Sequence, residues 1–502
     1  MKQITPKKLR AISPRYNKKR WRHFLSQDNE GVMYIEGVSV RALQKKYGTP
    51  IYVFVEEEIR NRLRNFKNAF DYPKFRPQYA CKCNSNLEVL RIVREEGFEF
   101  DASSIGEIIL GLLADFEPEQ ITFTNLYKSE QDIYFASEVG VKAITADSHE
   151  ELDRIIKVAE KGQKNIPVML RINPMIHKGK YDTTTQKYGI PYKFVSKAID
   201  KILKTDKVIL KGFHFHGSYA NHPKVYHYVL SKIMNLIRYA HKKGITIDML
   251  DLGGGFPTEA PKYGPGKYFG PEEFGPNFIK FFNKIFDKYH IQKPTLIFEP
   301  GKSMVATSGI GIIKAISIKE LGKKVSIITD ASTYSMFPDI LVSKCYYDLL
   351  PATRMDQRRT QKYEVVGSTC DCIDIIEDNE KLPWTEENDL LAVMDCGAYS
   401  YVIASNFNNL KRPSMILISG DGTTKLIRRR DRYSDLFGPE LDVLKIADPY
   451  ELKKYYDLTR VNMEKLWAGN ENDSTNDADN GKNNHNNTLL KENKNKTKKI
   501  NN

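Results

Sequence analysis

Short apolar runs alternate with amphipathic segments from residue 51 to about residue 310, and this alternation most constrains how the chain can fold. The runs are IYVFV, QYACK, FEFDAS, ITFTN, AITAD, PVMLRIN, LKGFHFH, IDMLDLG and PTLIFEP. Between them lie segments such as EEEIRNRLRNFKNAF, whose apolar residues recur at helical spacing. Strands that alternate with helices predict βαβ units and a parallel sheet. Roughly eight units in about 250 residues is the number found in a (β/α)8 barrel, which we predict at residues 51–315.

The pattern changes after residue 315, where short apolar runs follow one another without regular helices between them. These runs are KKVSIITDAS, QKYEVVGST, DLLAVMDCG, SMILISGD and TKLIRRR. They predict an antiparallel β domain at residues 316–466. GVMYIEGVSV, in the basic segment 1–50, resembles these runs and is expected to complete that domain as an N-terminal strand. Residues 467–502 are rich in Asn and Lys and nearly free of apolar residues, which predicts a disordered tail.

The net charge of +14 raises the question of nucleic-acid binding. Much of the excess lies near the two ends of the chain, where basic residues are usually solvated, and we find no nucleic-acid-binding motif. No apolar stretch reaches the roughly 18 residues that a membrane span needs, and the basic N-terminus lacks the apolar region of a secretory signal. We therefore expect a cytoplasmic protein that binds neither nucleic acid nor membrane.

The six cysteines do not have the spacing of a zinc site. Two pairs, Cys81 with Cys83 and Cys370 with Cys372, are C-x-C rather than C-x-x-C. His214 and His216 lie two residues apart and would need a third ligand, which the sequence does not supply. We expect no bound metal, and free thiols without a special role for every cysteine except Cys370.

Reactive residues of such barrels lie at the C-terminal ends of the strands. Lys82 ends QYACK, where burial would lower its pKa toward that of a nucleophilic amine, although a lysine there can also reach solvent. Gly253, Gly254 and Gly255 follow an apolar strand and suit either a phosphate or an ordinary tight turn. Glu299, after PTLIFEP, is either a surface acid or a carboxylate able to keep a pyridine nitrogen protonated.

The order of the motifs is more specific than any one of them. YACKCNSN, FDASSIGE, RINP, HFHGS, DLGGGFP, FEPGK, GSTCDCID and DCGAYSYVIASNFN closely resemble the series in the pyridoxal-phosphate-dependent decarboxylases that act on ornithine, diaminopimelate and arginine, whose barrel is alanine-racemase-like. The resemblance covers residues from about 30 to 465. ITFTNLYKS, TADSHEEL, KYGI and ASNFNNLKRP are most similar to the diaminopimelate branch.

The resemblance implies pyridoxal 5'-phosphate as cofactor, an amino acid as substrate and a head-to-tail homodimer with active sites at the interface. The expected reaction is the conversion of meso-diaminopimelate to L-lysine and CO2, through a Schiff base on Lys82. Three further matched residues contact the cofactor ring or its lysine: Asp101 lies near that lysine, His216 stacks on the ring and Glu299 binds the ring nitrogen. The residues matched to the phosphate side are Ser218, Gly253, Gly254, Gly255, Gly301, Lys302 and Tyr399. From the neighbouring subunit, Cys370 handles the proton and Asp371 binds the substrate. His216 is counted with Lys82 and Cys370 among the catalytic residues.

Three departures from the family pattern concern the cofactor. Lys302 replaces the arginine of E-P-G-R, which keeps the charge but loses the bidentate fork. HFHGS is one residue shorter than H-x-H-x-G-S, so either His214 or His216 can be the stacking residue. Ser368 stands where a proline is usual.

A fourth departure concerns the substrate. The diaminopimelate branch has C-E-S and an arginine-containing segment, whereas this chain has Cys370-Asp371-Cys372 and ASTYSMFPDIL. An aspartate after the cysteine is closer to the ornithine-type pattern, so an ornithine or lysine decarboxylase that makes a diamine is an alternative. A racemase and a non-catalytic regulator of the same fold are further alternatives. Arg354, Arg358 and Arg359 are candidates for the missing cation.

Overall fold

The computed structural model describes residues 10–11, 22–178, 181–217, 223–258, 270–322, 324–343, 345, 347–447, 450 and 453. Residues 467–502, predicted as a disordered tail, lie outside these ranges, as does most of the chain before residue 22. Of the helices within the described ranges, none has the length and hydrophobicity that a membrane span requires.

The strands are β1 (Arg10–Ala11), β2 (Leu25–Gln27), β3 (Met33–Ile35), β4 (Val38–Ser39), β5 (Ile51–Val55), β6 (Gln78–Ala80), β7 (Glu99–Ala102), β8 (Ile121–Thr124), β9 (Ala143–Ala146), β10 (Ile166–Asn173), β11 (His177–Lys178), β12 (Tyr181–Asp182), β13 (Ile190–Pro191), β14 (Val208–His214), β15 (Met249–Asp251), β16 (Thr295–Ile297), β17 (Gly309–Leu321), β18 (Lys324–Thr329), β19 (Leu349–Leu350), β20 (Gln361–Val366), β21 (Ile375–Leu382), β22 (Leu390–Val393), β23 (Ser414–Ile418) and β24 (Thr424–Arg428). The α-helices are α1 (Val40–Tyr47), α2 (Glu56–Asn68), α3 (Leu87–Glu95), α4 (Ile105–Leu113), α5 (Glu130–Val139), α6 (His149–Gly162), α7 (Val195–Ile202), α8 (Lys224–Lys242), α9 (Pro271–Tyr289), α10 (Lys302–Val305), α11 (Asp339–Ser343) and α12 (Tyr433–Ala447).

Eight parallel strands form a barrel in the order β6, β7, β8, β9, β10, β14, β15 and β16. Backbone hydrogen bonds join the last strand to the first: the N–H of Arg76 donates to the carbonyl of Leu296 at 2.9 Å, and that of Gln78 to Phe298 at 2.8 Å. The predicted (β/α)8 barrel is therefore confirmed.

The barrel strands are buried on both faces, because helices cover the outer face and strand side chains fill the interior. Every residue of β7, β8 and β9 is buried, as expected for parallel strands packed on both sides. The helices between them are amphipathic and capped. For example, α6 begins after Ser148, whose hydroxyl accepts a hydrogen bond from the N–H of Glu151, and it buries Leu152, Ile155 and Val158.

A second sheet has the order β21, β20, β18, β17, β5, β23 and β24, with β22 pairing β17 and β19. Most of its pairs are antiparallel, as predicted, but β18 pairs β20 and β5 pairs β23 in parallel. The sheet is therefore mixed, and β17 runs into it directly from the barrel. The domain bounds given by the sequence stay predictions.

The run IYVFV is not the barrel strand that the sequence series predicts. It forms β5, which pairs β17 and β23 in the second sheet. All five residues are buried, with Tyr52 and Phe54 packed into one apolar cluster and Ile51, Val53 and Val55 into another. A run buried on both faces has no alternation that would tell which sheet it joins.

The N-terminal strand that completes the second sheet is thus β5, not GVMYIEGVSV. That segment forms β3 and β4 of a separate four-stranded sheet with β1 and β2. The small sheet is joined to the remainder by the N–H of Met33, which donates to the carbonyl of Ala352 at 2.7 Å. The described residues from Tyr433 onward, chiefly α12, belong to a unit separate from residues before 433.

Candidate active site

Side chains of five barrel strands meet at the C-terminal edge of the barrel. Lys82 lies in a 3-10 turn, Cys81–Cys83, directly after β6, and Asp101 lies near the end of β7. His214 ends β14, Asp251 ends β15, and Glu299 follows β16 by two residues. Parallel strands bring the residues at their carboxyl ends to one side of the barrel, so this group is the candidate active site.

Lys82 is held as an ammonium by carboxylates. Its Nζ donates to Oδ2 of Asp101 at 3.0 Å. Burial lowers the pKa of Lys82, but Asp101 and Glu299 together raise it to well above its usual value. The sequence-based expectation of a lowered pKa is therefore wrong for the protein without cofactor, because the neighbouring carboxylates outweigh the effect of burial.

Asp101 is buried and uses a single oxygen for Lys82. Its Oδ1 has no hydrogen-bond partner among the described residues. Burial and the charge of Glu299 raise the pKa of Asp101 to about 6, although Lys82 opposes that shift. Asp101 is therefore a carboxylate that can accept a proton near neutral pH.

Both oxygens of Glu299 are bound by histidines. Nε2 of His214 lies 3.1 Å from Oε1, and Nδ1 of His216 lies 3.4 Å from Oε2. Burial raises the pKa of Glu299, but His214, His216 and Lys82 lower it to well below its usual value. Glu299 is therefore an ionised carboxylate inside the barrel, where an unpaired charge would be costly.

The two histidines differ in access. The side chain of His214 is wholly buried, whereas 23% of His216 is exposed. Burial lowers the pKa of His216 to about 4, although Glu299 opposes that shift, so this ring is neutral at pH 7. Between the two residues that the sequence leaves open, His216 is the one with a ring accessible to a bound molecule.

Asp251 completes the buried cluster. Burial and the charge of Glu299 raise its pKa well above the usual value, so it carries a proton, and its Oδ1 accepts a hydrogen bond from the N–H of Gly253 at 2.8 Å. Side-chain atoms of His214, Asp251 and Glu299 all lie within 4.8 Å of one another, close enough to hold a metal ion. Protonation of Asp251 reduces its repulsion with the Glu299 carboxylate, and the absence of a metal stays a prediction.

Glycines allow the loop after β15 to pack against this cluster. Gly253 has φ +68°, and a Cβ there would lie 2.4 Å from the carbonyl oxygen of Phe215; one at Gly254 would lie 2.5 Å from that of Glu299. The hydroxyl of Tyr226 donates to the carbonyl of Gly254 at 2.7 Å. In a trans peptide the next N–H, that of Gly255, points the opposite way and stays available to an anion.

A residue of the segment after β22 reaches the turn that carries Lys82. The N–H of Tyr399 donates to the carbonyl of Cys83 at 2.9 Å, and the thiol of Cys83 donates to the Tyr399 hydroxyl at 3.0 Å. Gly301 packs on the same turn, since a Cβ there would lie 2.3 Å from Sγ of Cys83. Lys302 follows as the first residue of α10. Tyr399, Gly301 and Lys302 thus lie at or beside the Lys82 turn, whereas Ser218 lies outside the described residues.

Cys370 and Asp371 lie between β20 and β21, and none of their described contacts is with the Lys82 cluster. Sγ of Cys370 is exposed and lies 3.6 Å from Oδ1 of Asn408. Asp371 accepts a short hydrogen bond from the hydroxyl of Tyr334, which lowers the pKa of Asp371. The ring of Tyr334 stacks on Phe407 at 4.3 Å.

Two arginines considered as the missing cation are bound elsewhere. Arg354 pairs with Asp389 at 2.6 Å and with Glu386 at 2.5 Å. Arg359 lies 3.5 Å from Glu380. Their charges are therefore compensated within the second-sheet region.

Sequence reasoning did not single out Asp251, His214 as a partner of Glu299, or Tyr226. Asp251 and His214 stand inside quoted motifs, each as the last residue of a strand, and that position was the available signal. Tyr226 lies on α8, and no local pattern relates it to the glycine loop.

The chain is similar to known proteins over most of its length. Residues 56–306 match the family described as "Pyridoxal-dependent decarboxylase, pyridoxal binding domain". The chain belongs to this family of pyridoxal-dependent decarboxylases, and it is therefore a carbon–carbon lyase. It is 30% identical over 415 residues to the diaminopimelate decarboxylase of Archaeoglobus fulgidus, covering 81% of this chain and 96% of that one.

Another sequence relative and two solved structures are also diaminopimelate decarboxylases. The diaminopimelate decarboxylase of Methanothermobacter thermautotrophicus is 29% identical, with 82% of this chain and 95% of the relative covered. The crystal structure of diaminopimelate decarboxylase from M. jannaschii, 28% identical, superposes with a TM-score of 0.77 and covers 83% of this chain and 97% of that one. The same enzyme in complex with L-lysine gives a TM-score of 0.76.

Proposed function

We propose that this enzyme binds pyridoxal 5'-phosphate at Lys82 and converts meso-diaminopimelate to L-lysine and CO2. One observation carries the proposal: a primary amine and an ionised, histidine-bound carboxylate, Lys82 and Glu299, share the mouth of one barrel. The sequence relatives and the lysine complex named above support the choice of substrate.

The residues present fit the cofactor in chemical type. Lys82 supplies the amine, Glu299 an acceptor for the ring nitrogen and His216 a flat, neutral face. At the phosphate side the glycine loop offers the N–H of Gly255, and Lys302, Gly301 and Tyr399 lie at or beside the Lys82 turn. Oδ1 of Asp101, which lacks a hydrogen-bond partner among the residues that the structure describes, is a further buried acceptor at the site. Ser218 stays a sequence-based prediction.

When bound, the cofactor supplies an electron-accepting ring that stabilises the electron pair left by departing CO2. The side chains of this enzyme prepare that step. Asp101 lies 3.0 Å from Nζ of Lys82, and this ion pair holds the amine at the edge of the barrel where the cofactor would bind. His214 and His216 keep Glu299 ionised, so that Glu299 can hold a proton on a ring nitrogen.

A diamine-forming decarboxylase, acting on ornithine or lysine, is the second candidate. It is favoured by Asp371, whose carboxylate is aligned by Tyr334 and is short enough to suit a distal ammonium. The ion pairs of Arg354 and Arg359 also occupy two of the three arginines considered as a cation for the distal carboxylate of diaminopimelate. A non-catalytic regulator is disfavoured because both Lys82 and Cys370 are present.

Release of CO2 from the purified enzyme with added pyridoxal phosphate separates these candidates. We expect kcat/KM for meso-diaminopimelate to exceed that for ornithine, lysine and arginine by at least about a hundredfold, because a site that pairs both distal charges rejects substrates that leave one unpaired. Preference for ornithine or lysine would contradict the substrate assignment but not the decarboxylase chemistry. Release from none of the four would contradict both.

We further propose a head-to-tail homodimer in which Cys370 and Asp371 of one subunit enter the site of the other. Supporting this, none of their described contacts is with the Lys82 cluster of their own chain, and Cys370, Cys372 and Ile373 of their loop are exposed. In this arrangement the thiol of Cys370 supplies the proton to the product. The cytoplasmic location stays a prediction.

Mixing two inactive variants tests the shared site. Lys82→Ala and Cys370→Ala subunits, dissociated and reassociated together, should recover about a quarter of the wild-type activity, because half of the randomly paired dimers then contain one intact site of two. Each variant alone should remain at its own low level. No recovery, with mixed dimers demonstrated by differently tagged subunits, would place Cys370 in its own subunit's site or outside the mechanism.

A further inference from the structure

Four charged side chains form a buried network of ion pairs and hydrogen bonds beside the candidate active site. Nζ of Lys128 lies 3.2 Å from Oε2 of Glu151, and that oxygen accepts the N–H of Asp147 at 2.8 Å. Oδ1 of Asp147 accepts from Arg171 at 3.0 Å. None of the four side chains is more than 8% exposed, and Lys128 is wholly buried.

A contribution to stability does not by itself explain this buried network. Desolvation of buried ion pairs often cancels their attraction, and apolar residues of similar volume serve as well or better. Here burial lowers the pKa of Lys128 even with Glu151 beside it. Oε1 of Glu151 and Nε of Arg171 also have no hydrogen-bond partner among the described residues. We therefore expect the network to hold other residues in position, and the contacts of Arg171 and Asp147 show which residues these are.

Asp147, directly after β9, accepts hydrogen bonds from two different segments. Besides Arg171, it accepts the N–H of Gly189 through Oδ2 at 3.1 Å. Gly189 has φ +77°, and a Cβ there would lie 2.9 Å from the backbone N of Asn173. The next residue, Ile190, pairs with Ile172 of β10. Asp147 thus fixes the turn before β13 against the end of β10.

The residue presented by that turn is Tyr188. Its ring lies under the guanidinium of Arg171, with 4.6 Å between the guanidinium carbon and the ring centroid. Its ring also lies near His216, with 6.5 Å between the ring centroids and an interplanar angle of 76°. Cation–π and edge-to-face contacts of this kind are directional and limit how a ring can turn. His216 is thereby held by Glu299 at Nδ1 and by Tyr188 at its edge.

We propose that Asp147 is a positioning residue for the cofactor ring, acting through Arg171 and the Gly189 turn on Tyr188 and, through Tyr188, on His216. The proposal rests on the proposed function, in which His216 stacks on the cofactor. Asp147 itself touches neither cofactor nor substrate. Lys128 and Glu151 anchor it from the outer side of the barrel.

The test compares Asp147→Asn with Asp389→Asn in the pyridoxal-phosphate-loaded enzyme. Asp389 is a matched control, because this buried carboxylate also accepts from a guanidinium, that of Arg354, and from a backbone N–H, that of Glu386. Asp147→Asn should weaken pyridoxal-phosphate affinity, shift the absorbance of the bound cofactor and lower kcat about tenfold or more, with a smaller change in KM. Asp389→Asn should lower the melting temperature and leave those readouts unchanged.

A second pair keeps the test decisive if Asp147→Asn does not fold. Tyr188→Leu should reproduce the loss of pyridoxal-phosphate affinity and of kcat, and Tyr188→Phe, which keeps the ring, should restore most of both. Wild-type affinity and kcat in Asp147→Asn, or in Tyr188→Leu, would overturn this inference alone. Absence of bound pyridoxal phosphate in the unmodified enzyme would overturn the proposed function and this inference with it.

Discussion

Replacing Lys82 with alanine is expected to abolish the absorbance band of the bound cofactor and to lower decarboxylation by at least about a thousandfold. The reason is that Lys82 is the amine at the C-terminal edge of the barrel that pairs with Asp101 and lies in the field of Glu299. Spectrophotometry with added pyridoxal phosphate and an assay of CO2 release measure the two effects.

Lys142→Ala is the matched control for that experiment. Lys142 also pairs with a buried barrel carboxylate, Glu99, but at the start of β7 rather than near its end. It should bind cofactor and turn over substrate at close to the wild-type rate. A cofactor band that persists in Lys82→Ala would contradict the assignment of Lys82.

Glu299→Gln is expected to retain cofactor and to lower kcat by about a hundredfold, with a smaller effect on KM. Glutamine has nearly the same shape and can still accept a hydrogen bond from His214, but it lacks the charge that keeps a ring nitrogen protonated. Steady-state rates of CO2 release, with cofactor content checked for each preparation, measure this loss.

The control for Glu299 is Glu99→Gln, which removes another buried barrel carboxylate together with its ion pair to Lys142. Its melting temperature should fall while its kcat stays close to that of the wild type. Equal kcat values for Glu299→Gln and the wild type would exclude a role for the Glu299 charge in the reaction.

Much of the barrel could be predicted from the sequence because a parallel strand buried on both faces is a continuous apolar run. The runs from QYACK to PTLIFEP all became barrel strands. IYVFV did not, since an equally apolar run also suits the centre of the second sheet, where β5 lies between β17 and β23. Which sheet takes such a strand depends on long-range packing that a local pattern does not contain.

The candidate active site could likewise be predicted only in part from the sequence. Position at a strand end singled out Lys82 and Glu299, and the family resemblance singled out Asp101; the barrel places the three close together. The protonation of Lys82 was predicted with the wrong sign, since burial can be judged from a local run but the distances to Asp101 and Glu299 cannot. The choice between His214 and His216 likewise needed their relative burial.

The measurement that tests the central claim most directly is covalent mapping of the cofactor. The enzyme loaded with pyridoxal phosphate is reduced with borohydride, digested and examined by mass spectrometry. The account predicts a pyridoxyl group on the peptide that contains Lys82, and its absence from the peptides of Lys128, Lys142 and Lys302. A label on another lysine, or no label in a preparation that decarboxylates amino acids, would contradict it.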